Sequence, residues 1–192
     1  MSDQLKMRRL HYKGLPDLAL PAGYRLRTYR PGDEAAWADI INRAGQLGEY
    51  TPEKVRDALT GQDRFHAEGL VFIETHAGEA VATACAWLNR ADDWRAGQVH
   101  MVAVVPEHQG KRLSYWASVA VCRVFERWGV PQVFLLTDEF RKAAVKVYLN
   151  LSFRPVIRSK DHYDRWIEVF RSYGREDEAD RLIAEKAQPG NW

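Results

Sequence analysis

The chain has 192 residues, 46% of them hydrophobic, and no apolar run long enough to span a bilayer, so one compact domain with its own core is the expectation. Its 28 basic and 26 acidic residues leave a formal net charge of +2, which speaks against nucleic acid as a partner and confines any basic site to a local cluster. Cys85 and Cys122 sit among apolar neighbours with no second cysteine or histidine at ligand spacing, so two buried, reduced thiols are expected, not a metal site or a disulfide framework.

The amino-terminal MSDQLKMRRLHYKG lacks the apolar centre and small-residue cleavage site of a secretory leader, which makes the cytoplasm the expected location. Tyr24 to Tyr29 alternates in strand fashion, and Pro31-Gly32-Asp33 then supplies a turn and an N-cap for a helix carrying Trp37, Ile40 and Ile41 on one face. Thr51-Pro52-Glu53 reads as a second helix start. Leu70 to Thr75 and Ala80 to Leu88 form a hairpin around Ala77-Gly78-Glu79.

A loop from Asn89 to Gly97 leads to the β-prone run Val99 to Val105, which Pro106 closes because it cannot donate to a continuing ladder. After the loop EHQGKR, apolar residues recur with helical period from Leu113 to Trp128, and Gly129 stops them. Val133 to Leu136 is a short strand, Arg141 to Asn150 a helix, and Phe153 to Ile157 a final strand. Tyr163 to Lys186 is amphipathic and broken at Gly174, so residues 158–192 read as a helical extension of a single 1–192 domain.

The segment with most chemistry in it is VHMVAVVPEHQGKRLSYWASVAV, where a buried strand passes through a polar turn directly into a long helix. The first amides of a helix lack intrahelical partners and sit at the positive end of its dipole, so an anion at Gln109 to Ser114 would meet convergent donors. Gly110 permits close backbone approach, and Lys111 and Arg112 add local positive charge.

Two runs together, VAVVPEHQGKRL and AAVKVYLNLSFRPV, resemble the GNAT superfamily of acyl-CoA N-acyltransferases, over roughly Tyr24 to Ile157. The resemblance implies an α/β fold with a mixed, mostly antiparallel central sheet flanked by helices, opening between the Val99–Val105 and Val133–Leu136 strands to admit the cofactor. It implies acetyl-CoA or another acyl-CoA as co-substrate, no metal, and a turn whose amides, from Gln109 through Gly110, Lys111, Arg112 and Leu113 to Ser114, hold the pyrophosphate. The family's turn reads Gln or Arg, two residues, Gly, one residue, Gly or Ala; Gln109 matches, while Arg112 and Ser114 stand at the small positions. The same resemblance gives main-chain groups of Val102 and Val104 to the pantetheine arm. It makes Tyr148, in the pattern Tyr, three residues, Gly-Phe (Ser152-Phe153 here), the donor to the departing thiolate. Arg141 replaces the asparagine that often opens that helix.

An amine nucleophile must shed protons, and His100 is the candidate base, since strand periodicity puts Gln98, His100, Val102 and Val104 on one face. Asp138 and Glu139, just past the Val133 strand, are the candidate carboxylates for a cationic acceptor, with Glu49, Asp92 and Asp93 as looser alternatives in loops. The resulting expectation is N-acetyl transfer to a small-molecule or peptide primary amine by direct attack, with no nucleic-acid or membrane partner and a homodimer as the candidate assembly. A CoA-binding regulatory module of the same fold is the alternative. A nucleotide-binding domain of another type is disfavoured, because VPEHQGKRLS lacks the GxGxxG and Walker A spacings.

Overall fold

The computed structural model describes residues 3–186. Seven strands form one sheet: β1 (Leu5–Arg9), β2 (Tyr24–Thr28), β3 (Leu70–Thr75), β4 (Ala80–Leu88), β5 (Gly97–Val104), β6 (Val133–Thr137) and β7 (Arg154–Val156). The helices are α1 (Glu34–Ala44), α2 (Pro52–Val55), α3 (Leu113–Arg127), α4 (Lys142–Asn150), α5 (Lys160–Ser172) and α6 (Glu176–Lys186). Strand order is β2-β3-β4-β5-β6-β1-β7, and each neighbouring pair is antiparallel except β5 with β6. The mixed, mostly antiparallel α/β sheet expected from the sequence is therefore the observed architecture.

Local chemistry accounts for most boundaries. Gly78, at φ +89°, turns the β3–β4 hairpin, with its amide donating to Thr75 O at 3.0 Å. The Thr51 side chain accepts from Lys54 N and Pro52 opens α2, which widens into a π-type turn at Arg56–Thr60. Gly129 and Gly174, at φ +70° and +63°, end α3 and separate α5 from α6.

Two elements depart from the sequence reading. Asp33 stands before α1 without a side-chain cap bond; its carboxylate instead accepts from both terminal nitrogens of Arg27 and from Arg30 N. A charge-assisted pair is the stronger partner, so the cap function is lost to it. The second departure is β1, which sequence periodicity did not separate from the basic amino terminus. Leu5, Met7 and Arg9 point inward at 0%, 0% and 3% exposure, while Lys6 and Arg8 point out. The buried Arg9 guanidinium donates to the carbonyls of His11 at 2.8 Å, Lys13 at 2.9 Å and Leu151, so each of its three nitrogens has an acceptor and the side chain ties β1 to the end of α4.

The sheet parts in the middle. β5 and β6 pair only at Gly97 with Val133 and Gln98 with Phe134. A glycine is required at that junction because a Cβ on residue 97 would lie 2.1 Å from Phe125 Cε1 of α3, a ring that is fully buried. On the other side of β5 the register shifts between Thr83 and Cys85, leaving Met101 and Val102 opposite Ala84 alone. Met101 takes φ +50° to make this bulge, which turns β5 away from a regular ladder just where it leaves β6.

Candidate active site

A cavity of about 440 Å³ occupies the gap. Its walls are Val102 to Val104 of β5, the turn and first residues of α3, the α4 face carrying Ala144, Val147 and Tyr148, and the loop after α1 from Gly45 to Leu47.

The α3 end of the cavity has the character the sequence suggested. Gly110 at φ +76° and Arg112 at φ +61° curl the turn, and no side chain caps the helix. The first intrahelical bond is Trp116 N to Arg112 O at 3.1 Å, so the amides of Leu113, Ser114 and Tyr115 lack helical acceptors. Gln109, Gly110, Arg112, Leu113 and Ser114 line the cavity. The Arg112 guanidinium lies 4.6 Å over the Tyr115 ring, which leaves its small-residue position open to the backbone. Lys111 does not line the cavity; its ammonium donates to Glu107 O at 3.3 Å. Nothing lies within 4 Å of a Cβ built on Gly110, so its requirement for glycine comes from φ.

Gln109 has a further role. Its side-chain amide donates to Val104 O at 3.2 Å, fastening the turn to the end of β5. Val102 and Val104 do face the cavity, but the Val104 carbonyl is engaged by this bond. His108, just before the turn into α3, is half-buried, lines the cavity and shares a hydrogen bond between its Nδ1 and Tyr24 Oη at 2.8 Å.

Tyr148 projects from α4 into the same cavity, 7% exposed, with its ring edge-on to Phe153 at 6.0 Å. No described residue hydrogen-bonds its hydroxyl. Burial pushes the phenol up to about 12, with the Arg141 charge opposing in part, so it stays protonated throughout the neutral range. Arg141, standing where the asparagine was expected, pairs with Asp138 at 3.2 Å and donates to Gln46 O at 2.7 Å, bridging α4 to the loop after α1.

The acceptor-side candidates are placed differently. The β5 bulge interrupts the alternation that would have carried His100 onto one face with Val102 and Val104, and His100 is absent from the cavity wall. Its imidazole stacks on Trp87 with centroids 5.7 Å apart, and burial, aided by the Arg64 charge, pulls it down to about 4. Asp138 also accepts from Gln4 at 3.1 Å, and Glu139 is held by both Arg165 nitrogens at 2.6 and 2.8 Å. Neither carboxylate lines the cavity. Asp92 and Asp93 pair with Arg90 and Arg95, and Glu49 is exposed. Both cysteines are buried thiols, and burial raises each above its ordinary range, which leaves neither suited to carry an acyl group.

A mostly antiparallel sheet that splits at its parallel pair, with an uncapped helix start on one side of the gap and a tyrosine on the other, is the acyl-CoA N-acyltransferase type of fold. Comparison with known proteins agrees. The model of the acetyltransferase (GNAT) family matches residues 35–153. The chain is 33% identical to the mycothiol acetyltransferase of Thermobispora bispora over 77% of its own length and 52% of the relative's. It is 32% identical to that of Kytococcus sedentarius over 74% and 49%. Among solved structures, a GCN5-related N-acetyltransferase from Sphaerobacter thermophilus superposes with a TM-score of 0.68 at 23% identity, over 81% of this chain and 50% of that one. Rv2747 from Mycobacterium tuberculosis, in complex with CoA, superposes at 0.55 and 18% identity over 86% and 94%. This chain belongs to the acetyltransferase (GNAT) family. It spans about half the length of the curated relatives it matches.

Proposed function

We propose that this chain binds acetyl-CoA in the gap between β5 and β6 and transfers the acetyl group directly to an amine. The observation that carries this reading is the Tyr148 hydroxyl, which faces the cavity with no partner among the described residues and stays protonated. The free amides of Leu113, Ser114 and Tyr115, at the positive end of a 15-residue helix, suit the pyrophosphate.

In the reaction the amine nitrogen bonds to the thioester carbon, the C–S bond breaks, and one proton passes in net from nitrogen to sulfur. A phenol near 12 is a weaker acid than an ordinary thiol near 8.5, so Tyr148 serves the departing sulfur mainly as a hydrogen-bond donor. His100, pulled down to about 4, is neutral but a weak base; the amine accordingly enters already deprotonated, and the rate rises with pH until the amine's own pKa is passed. Asp138 and Glu139, each paired with an arginine, hold the β6–α4 loop in place.

The test has two readouts. CoA and acetyl-CoA should raise the melting temperature, since a ligand at a hundredfold excess over its dissociation constant adds about 2.7 kcal/mol to the native state. Free thiol should then be released from acetyl-CoA with at least one member of a panel comprising a mycothiol-related amine, aminoglycosides, polyamines and peptides. Stabilisation by NAD or ATP and not by CoA would defeat the placement. Stabilisation by CoA with no thiol release from any amine would favour a non-catalytic CoA-binding module.

A further inference from the structure

The outer face of β6, β1 and β7 carries a group of cations that the proposed reaction does not use. Cross-strand register puts Lys6 beside Leu136 and Val156, and Arg8 beside Phe134 and Arg154. Partners across a ladder share a face, so these side chains point together, away from the buried Leu5, Met7 and Arg9. Arg158 follows Val156 by two residues and lies close enough for its charge, with that of Arg8 and after burial, to hold the Lys6 ammonium below its ordinary range. Arg8, Arg154 and Arg158 are exposed, and Leu136, beside Lys6 on β6, is 40% exposed.

Among the described residues none of these four cations makes an ion pair, although most other arginines in the chain do. The nearest carboxylate along β6, Asp138, is already paired with Arg141. Like charges on neighbouring strands are unfavourable without a counter-charge. Protection of a sheet edge by basic residues and proline would explain Arg154 and Pro155 on β7, but β1 is paired on both sides and has no edge to protect.

We propose that this face docks an acidic polypeptide segment, with Asp and Glu side chains laid across β6, β1 and β7. The cations lie on two neighbouring strands, β1 and β7, about 5 Å apart, and extend over roughly 13 Å along the chain from Arg154 to Arg158, an elongated open surface that suits an extended chain better than a single phosphate. Half-buried Val156, between Arg154 and Arg158, and Leu136, flanking Lys6 on β6, offer apolar contact beside the charges. Base stacking has no platform, because Phe134 is 7% exposed and the Lys6 ammonium lies 4.1 Å over its ring. The face continues through Phe134 to Gln98 and His100, so a segment docked here ends beside the split in the sheet.

The experiment is fluorescence anisotropy with a labelled short peptide containing a run of aspartates, read against a peptide of the same length with asparagines. The aspartate peptide should bind at least about tenfold more tightly in low salt, the product of several exposed ion pairs, and the difference should shrink as salt rises. Arg8→Glu combined with Arg154→Glu and Arg158→Glu, all at exposed positions, should abolish the difference; Lys6→Gln alone should reduce it, and Arg30→Glu, at an exposed residue beyond β2, should leave it intact. Equal binding of the two peptides, or a preference that survives the triple charge reversal in protein of unchanged melting temperature, would overturn the proposal. So would tighter binding of a single-stranded oligonucleotide that the same reversal abolishes. Because binding is read without turnover, a failure of acetyl transfer leaves this result unaffected.

Discussion

Replacing Tyr148 by Phe removes one oxygen from a ring that is 7% exposed and packed against Phe153. The hydroxyl has no partner among the described residues, so its loss strands no donor or acceptor there, and stability should change by no more than about 0.5 kcal/mol, which is about 1–2 °C in a domain of this size. The chemical step should suffer far more. Two estimates compete for its size. Full proton donation is worth up to about 10⁴-fold, but a phenol held near 12 by burial is too weak an acid to deliver a whole proton to an ordinary thiolate. A positioned donor facing developing charge in a water-poor site is worth about 10²–10³-fold, or roughly 2.7–4 kcal/mol, and that is the expected fall in kcat. Because the phenol does not ionise below pH 9, the deficit should be the same at every pH from 6 to 9. The assay is steady-state thiol release at saturating acetyl-CoA, with cofactor affinity measured separately by its effect on melting. A variant within about threefold of the parent in kcat, or one that loses CoA binding in place of turnover, would refute the assignment.

Other outcomes follow from the same geometry. Gly97→Ala should cost about 1–3 kcal/mol, because its methyl would meet three atoms of the Phe125 ring at 2.1 to 2.5 Å; thermal melts of Gly97→Ala, Phe125→Leu and the double variant should show the two changes coupled, and additive effects would refute the clash. At Gly110 the measurement is a pair: Asn, which tolerates φ +76°, should leave the melting temperature higher than Ala does, yet weaken CoA binding more if phosphates approach the backbone there. His100 is held near 4 when folded against 6.5 when unfolded, so the unfolded chain binds the extra proton and stability is lost as pH falls from 6.5 towards 4, on the order of 3 kcal/mol in all. His100→Gln should flatten the acid limb of a stability–pH curve in that window, and an unchanged limb would mean the imidazole is not buried in neutral form.

Local pattern determined a good deal by itself. The β3–β4 hairpin, the Thr51 cap, the stop at Gly129 and the turn from Gln109 to Ser114 all follow from short-range chemistry: a glycine where φ must be positive, a hydroxyl where amides are free, a 3.6-residue period that ends where it should. Tyr148 was singled out by the family resemblance that its neighbours carry, and the structure places it on the cavity wall. What sequence could not settle depends on partners far along the chain. β1 is a strand because β6 and β7 flank it, and its basic residues become a patch only through that pairing. Asp138 and Glu139 follow β6 as expected, yet Gln4 and Arg165, 134 and 26 residues away, supply partners that the local sequence does not reveal. Perfect alternation placed His100 beside Val102, and one extra residue at Met101, invisible without its partner strand, breaks that relation. Side-chain period is a local property of the backbone, whereas register, bulges and charge pairing are set between strands, so they belong to the tertiary structure alone.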